Sequence, residues 1–223
     1  NTTTVVSGEG KDTTFYNTYT VKYEDENSHT TATNTLQPTK VRALKEWNPG
    51  EADGDYPSVD LTLEYQVGAD TWETLCTVTV DGVKDENPAN PYYEDDPWHA
   101  VWEDLPVALP GSLLDVDGKT QYRVVETVPP GYIQESMEKS ADGDVYTYTF
   151  TNVEAVDFTV TKRWHVEDPA NEIQTVTVQL YRKVADGVEE AVGESITLPD
   201  DGSSHTFRNL AKYDPDGKLY TYY

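Results

Sequence analysis

Hydrophobic and polar residues alternate with a period of two along most of the chain, which is the pattern of half-buried β-strands. Clusters of Gly, Pro, Asn and Asp separate these runs, and almost no segment has helical periodicity. The predicted strands of the best-defined stretch are Val41–Trp47, Val59–Val67, Trp72–Val80, His99–Leu105, Gln121–Thr127, Tyr132–Lys139 and Val145–Asn152. The pattern therefore predicts an all-β fold, with these strands forming an immunoglobulin-like β-sandwich.

The same pattern restarts after Asn152, which indicates an internal repeat. "FTVTKRW" at 158–164 matches "VRALKEW" at 41–47, and "YTYY" at 220–223 is matched to "YRVV" at 122–125. "TATNTL" at 31–36 resembles "TFTNVE", which closes the complete repeat. We therefore expect tandem domains: the C-terminal portion of one at 1–36, a complete one at 37–154 and the N-terminal portion of another at 155–223. Alternatively, residues 1–36 supply strands that complete the last unit.

Three polar residues of the complete repeat fall on apolar strand faces. Lys45 is in the row of Val41, Ala43 and Trp47, Glu126 follows Tyr122 and Val124, and Asn152 follows Tyr146, Tyr148 and Phe150. Burying an isolated charge costs several kcal/mol unless it is paired. We therefore expect the three side chains to meet in the core.

Two explanations fit such a cluster. One is a buried Lys45–Glu126 ion pair with Asn152 hydrogen-bonded beside it, or a lysine that reaches the sheet edge. The other is covalent: burial favours the neutral amine, which attacks the Asn152 carboxamide and releases ammonia. In that case Glu126 is the acid that polarises the carbonyl, because the same burial raises its pKa.

Several motifs follow one another in a fixed order, with "LKEW" and "TKRW" in the first strand, "YRVVETVPPGY" around Glu126 and "YTFTN" at the close. In these motifs the sequence resembles the Cna B-type domains of Gram-positive surface adhesins and pilins. The resemblance covers essentially the whole chain, and it is the order of the motifs that makes it specific.

This resemblance implies an intramolecular isopeptide bond between Lys45 and Asn152, promoted by Glu126. Lys162 matches the nucleophile position and Asn34 the acceptor position of possible partial sites, with Asn17 as a rival to Asn34. It also implies a structural stalk or shaft module on the bacterial cell surface, whose partners are the neighbouring domains of the same wall-anchored protein.

The composition and net charge of the chain argue against several classes of partner and of chemistry. Lys and Arg number 16 against 41 Asp and Glu, giving a net charge of -25, which disfavours nucleic acid and anionic membranes as partners. The single cysteine, Cys76, allows no internal disulfide and is read as a small buried hydrophobe. No membrane-spanning run, metal-ligand cluster or phosphate-binding loop is evident, so we expect no cofactor, no bound metal and no enzymatic turnover.

One alternative function remains, which is an adhesive module that binds a host matrix protein or glycan. Tyr92, Tyr93 and Trp98 of the insertion "ENPANPYYEDDPWHAVW" would be its contacts. Packing of this long loop against the sandwich is the other interpretation of these aromatics. The acidic loops "EADGD" and "DENPANPYYEDD" permit weak calcium binding but lack EF-hand spacing.

Overall fold

A computed structural model of the chain describes residues 18–25, 28–35, 39–50, 55–83, 97–163, 175–198 and 204–223. These residues form strands, turns and irregular segments without any helix, so the prediction of an all-β protein is confirmed. The strands are β1 (Thr18–Asp25), β2 (Ser28–Thr35), β3 (Thr39–Asn48), β4 (Val59–Gly68), β5 (Thr71–Val80), β6 (His99–Leu105), β7 (Tyr122–Thr127), β8 (Tyr132–Asp142), β9 (Val145–Thr161), β10 (Val176–Lys183), β11 (Glu190–Leu198), β12 (Ser204–Ala211) and β13 (Thr221–Tyr222).

The chain divides into two compact units. Unit 1 comprises Asn1–Lys45, Tyr56–Thr127 and Met137–Phe150, and unit 2 comprises Glu46–Asp55, Val128–Ser136 and Thr151–Tyr223. Strand β9 has residues in both units and passes without a break through the domain boundary predicted after residue 154. The predicted domain limits, and the tandem immunoglobulin-like arrangement, stay predictions.

Unit 1 is built from paired strands, and the pairs β1–β2, β3–β6, β4–β5 and β4–β7 are antiparallel. Strand β4 lies between β5 and β7, β3 lies between β6 and β9, and β1 pairs with β2. The inward faces of these strands follow the predicted alternation, because every second residue of β3 from Thr39 to Trp47 is buried. The buried apolar side chains of this unit are Val41, Ala43, Val59, Leu61, Leu63, Val80, Ala100, Trp102, Leu105, Val107, Tyr122, Val124, Tyr148 and Phe150.

Unit 2 repeats the local architecture of unit 1. Strand β10 lies between β11 and β13, as β4 lies between β5 and β7, and β12 pairs with the second half of β9. Val41 of β3 is opposite Trp102, and Phe158 of β9 is opposite Phe207. Each pairing then shifts at an irregularity that holds a residue with left-handed φ, which is Asp104 at 53° in one unit and Asn209 at 54° in the other.

The strand register corrects one detail of the sequence alignment. Tyr65 of β4 is opposite Tyr122, and the equivalent residue of β10, Arg182, is opposite Tyr222. Tyr222, rather than Tyr220, is therefore the counterpart of Tyr122. The two tyrosines also make the same hydrogen bond, with their hydroxyl groups donating to the carbonyls of Pro106 and Ala211 respectively. A shift of two residues preserves strand alternation, so the aromatic pattern of "YTYY" could not show this difference.

A buried lysine, glutamate and asparagine as the candidate functional site

Lys45 is a buried charged residue near the end of β3. Its relative exposure is 3%, and it occupies the apolar row predicted from the sequence. The backbone N–H of Lys45 donates to the carbonyl of Trp98 at 2.7 Å, which fixes this part of the strand. The side chain therefore starts inside the core and cannot reach water without leaving the face on which its neighbours pack.

Glu126 lies in the same core as Lys45. Strand β7 places it opposite Leu61 of β4, which is fully buried. The Nζ atom of Lys45 is 3.4 Å from Oε1 of Glu126, and both side chains are completely shielded from solvent. The structure thus brings together two of the three predicted site residues.

The amine of Lys45 also contacts strand β9. Its Nζ donates a hydrogen bond to the carbonyl oxygen of Phe150 at 3.1 Å. Asn152 follows Phe150 by two residues on the same strand, so period-two alternation places both side chains on one face. Asn152 has no exposed surface, which confirms that it is directed inward.

This environment governs the protonation of the pair. Removing both groups from water disfavours their charged forms, while their mutual attraction favours them. A proton passed from the ammonium of Lys45 to the carboxylate of Glu126 leaves two neutral groups and no net change in charge. The site can therefore hold either an ion pair or an amine beside a carboxylic acid, and the second state contains a nucleophile.

The candidate partial sites are less complete. Lys162 follows the end of β9 and is half-buried, and it keeps the alternation with Phe158 and Val160. Asn34 lies on β2, where it is opposite Tyr19 of β1. Asn17 lies outside the described residues. The roles proposed for Lys162 and Asn34 stay predictions.

The aromatic insertion gives no support to a binding surface where it is described. Trp98 is half-buried and contacts the ring of Tyr56 edge-on, with 6.2 Å between the ring centroids. A Cβ atom added at Gly82 would lie 2.5 Å from the Trp98 ring, so this glycine allows the ring to pack closely. Tyr92, Tyr93, the whole loop "DENPANPYYEDD" and all of "EADGD" except Asp55 lie outside the described residues.

Outside the cluster of Lys45, Glu126 and Asn152, the described residues contain few groups suited to catalysis or metal binding. Cys76 is half-buried, and burial raises the pKa of its thiol more than a hydrogen bond with Trp102 lowers it, which makes it a poor nucleophile. The described residues contain no cluster of His, Cys, Asp and Glu that could hold a metal ion. They also include no helix long and apolar enough to span a membrane.

One polar contact of unit 2 was not anticipated from the sequence. The side-chain amide of Asn48 donates to Oε2 of Glu135 at 2.8 Å and to the carbonyl of Asp214 at 2.7 Å. These residues are far apart in the chain, and no local motif marks them. Asn48 is the last residue of β3 and is joined to Pro49 by a cis peptide bond, and neither feature identifies Glu135 or Asp214 as its partner.

A known protein family matches the last part of the chain. The family described as the Cna protein B-type domain matches residues 158–223. A variant of the shaft pilin SpaA from Lactobacillus rhamnosus GG is 16% identical over 82% of this chain and 76% of that chain, with a TM-score of 0.31. The pilus adhesin SpaC from the same organism is 12% identical over 91% of this chain and 25% of that chain, with a TM-score of 0.32. No curated protein matches the chain.

The structure and the family match each contribute one part of the classification. The described residues form an all-β protein in which two compact units share local architecture. Within it, residues 158–223 match the Cna B-type domain family, which confirms for this part of the chain the resemblance predicted from the sequence.

Proposed function

We propose that the chain is a structural stalk or shaft module of a bacterial surface adhesin or pilus, stabilised by an isopeptide bond that it forms itself between Lys45 and Asn152. The observation that carries the proposal is the fully buried Lys45 amine, which contacts Glu126 and the β9 carbonyl two residues before Asn152. The Cna B-type match over residues 158–223 supports a non-enzymatic surface protein rather than an enzyme.

The proposed reaction needs no external reagent. Proton transfer from Lys45 to Glu126 gives a neutral amine, whose lone pair attacks the side-chain carbonyl carbon of Asn152. Glu126 protonates the departing nitrogen and takes a proton from the attacking one, so that it acts as acid and base in turn. One C–N bond forms, one C–N bond breaks, and a molecule of ammonia leaves.

The position of this bond determines its mechanical effect. It would join β3 to β9, so a pulling force would pass through a covalent link instead of through the hydrogen bonds between strands. It would also close a loop of about one hundred residues, which by analogy with a disulfide restricts the unfolded chain by on the order of 4 to 5 kcal/mol. Unlike a disulfide, an amide is not removed by reductants, as suits an extracellular protein whose partners are neighbouring domains of the same chain.

Intact mass under denaturing conditions tests the proposal. We expect the wild-type mass to fall short of the sequence mass by one ammonia, and the Glu126→Ala and Lys45→Met variants to have their full sequence masses. Peptide mapping should then find the β3 and β9 peptides joined in the wild type alone. A full wild-type mass in folded protein would contradict the bond and leave a buried ion pair.

Lys162→Met provides a matched control for that experiment. Lys162 occupies the position equivalent to Lys45 but is only half-buried. This variant should retain the ammonia deficit because the proposed bond lies at Lys45. Loss of the deficit in Lys162→Met would assign the cross-link to a different lysine.

A further inference from the structure

An ion pair at the surface occurs at equivalent positions in the two units, but its charges are reversed. In unit 1, Lys40 of β3 pairs with Glu103 of β6 at 2.5 Å. In unit 2, Asp157 of β9 pairs with Arg208 of β12 at 3.0 Å. The first strand of the pair thus carries the cation in one unit and the anion in the other.

The strand registers establish that these positions correspond. Lys40 immediately precedes Val41, which is opposite Trp102, and Asp157 immediately precedes Phe158, which is opposite Phe207. Glu103 and Arg208 each precede the residue with left-handed φ, Asp104 or Asn209. The charges therefore differ at sites where the backbone is the same.

Such likeness creates a pairing problem during folding. The two strand pairs share a register irregularity and the alternation around it, so β3 could pair with β12, or β9 with β6, through the same backbone geometry. Either mispairing would place like charges opposite each other, with Lys40 facing Arg208 or Asp157 facing Glu103. Like charges directly opposite on neighbouring strands are destabilising.

We infer that the reversed ion pairs select the correct strand partner, so that each repeat assembles with its own strand and not with the equivalent strand of the other. Their positions at the surface fit this role better than a role in stability. The side chains of Arg208 and Asp157 are 71% and 45% exposed and those of Lys40 and Glu103 are 19% and 39% exposed, and ion pairs that water can reach contribute little to stability. Mispaired strands lose both ion pairs and gain like-charge contacts in their place. The free-energy difference between correct and incorrect pairing is therefore larger than the contribution of the ion pairs to folding stability.

Charge-swapped variants separate pairing selection from stability. Asp157→Lys with Arg208→Glu, called the matched variant, gives both units the same charge order and keeps an ion pair in each. Adding Lys40→Asp and Glu103→Arg gives the restored variant, in which the orders again differ. The matched and restored variants should have similar urea midpoints at equilibrium, because each retains two opposite-charge pairs and both lack the hydrogen bond that Asn209 N–H donates to Asp157 in the wild type.

Refolding from urea, followed by size-exclusion chromatography, provides the readout. We expect the misfolded or dimeric fraction of the matched variant to rise roughly three- to tenfold, and that of the restored variant to return to the wild-type value. Zero-length carbodiimide cross-linking identifies the mispairing, because it would link position 40 to 208 and position 157 to 103 in the matched variant.

Two results would overturn the inference. The first is an unchanged refolding yield of the matched variant with no links between positions 40 and 208 or between 157 and 103. The second is a reduced yield without those links, which would show that the change acts by another route. The experiment is repeated with Lys45→Met in all three chains, so that a bond between β3 and β9 cannot guide refolding.

Discussion

Tyr122 of unit 1 and its counterpart in unit 2, Tyr222, make equivalent hydrogen bonds in different surroundings. The hydroxyl of Tyr122 donates to the carbonyl of Pro106, and both residues are buried, whereas Tyr222 donates to the half-buried Ala211. We expect Tyr122→Phe to lower the free energy of unfolding by about 1 to 3 kcal/mol, because a buried carbonyl loses its partner. Tyr222→Phe should cost less, since water can replace the lost donor.

Urea unfolding followed by circular dichroism measures both changes. Equal losses in the two variants would show that the burial of the acceptor does not set the cost of removing the hydroxyl group.

The burial of Tyr122 also predicts how the free energy of unfolding changes at high pH. Burial raises the pKa of Tyr122 above its ordinary value of 10.0. The folded protein therefore keeps a proton that the unfolded chain loses, and stability that is complete below about pH 10 should decline as the pH rises further. In Tyr122→Phe this decline should be shallower, with the slope obtained from urea midpoints between about pH 9 and 11. Identical slopes in variant and wild type would contradict the assignment.

The residues of the candidate site were the most predictable part of the molecule. Lys45, Glu126 and Asn152 each interrupt an apolar row, and their buried positions were evident from strand alternation alone. Asn48 gave no such signal, because its contacts with Glu135 and Asp214 depend on how distant segments fold together. The covalent state of the site depends on reactivity and not on residue pattern, so it needs chemical measurement.

Turns with the sequence Asp-x-Asp-Gly-Lys are an element that the two units share. Oδ1 of Asp115 accepts hydrogen bonds from the backbone N–H groups of residues 117 and 119, and Oδ1 of Asp214 accepts them from residues 216 and 218. Gly118 and Gly217 have φ values of 74° and 75°, which suit glycine. The two turns differ in their surroundings, since a Cβ at Gly118 would meet nothing within 4 Å, whereas at Gly217 it would lie 3.2 Å from Pro49.

This difference predicts unequal effects of the same substitution. Gly118→Ala should cost about 1 to 2 kcal/mol, from the left-handed conformation alone. Gly217→Ala should cost more, because Pro49 must also move. Thermal unfolding of the two variants tests this order. A loss of stability in Gly217→Ala no larger than that in Gly118→Ala would show that the Pro49 contact adds no cost.

The sequence predicts where the strands lie better than it predicts where they end and which residues face each other on paired strands. Strand β6 has the predicted bounds, whereas β9 continues to Thr161 because Glu154 and Asp157 fit a paired strand as well as they fit a turn. The irregularities at Asp104 and Asn209 were not foreseen, since Asp and Asn occur in many turns and mark no particular φ by themselves.

At the scale of the whole molecule, the proposed bond predicts a short extension under force. With Lys45 joined to Asn152, the enclosed residues cannot lengthen when the chain is pulled from its ends. Single-molecule stretching of Glu126→Ala should therefore show roughly 370 Å of additional length relative to the wild type, at about 3.5 Å per residue. Equal extensions of wild type and variant would be incompatible with a cross-link between β3 and β9.

The uninterrupted strand β9 also restricts how this sequence can change over time. Asn152 and Phe158 lie an even number of residues apart on one strand, and the side-chain direction of each depends on that count. Inserting or deleting one residue between them would reverse the direction of every side chain on one side of the change. Relatives of this chain should therefore keep the length of the stretch 153–157 or change it by two, even where its exposed residues differ in type.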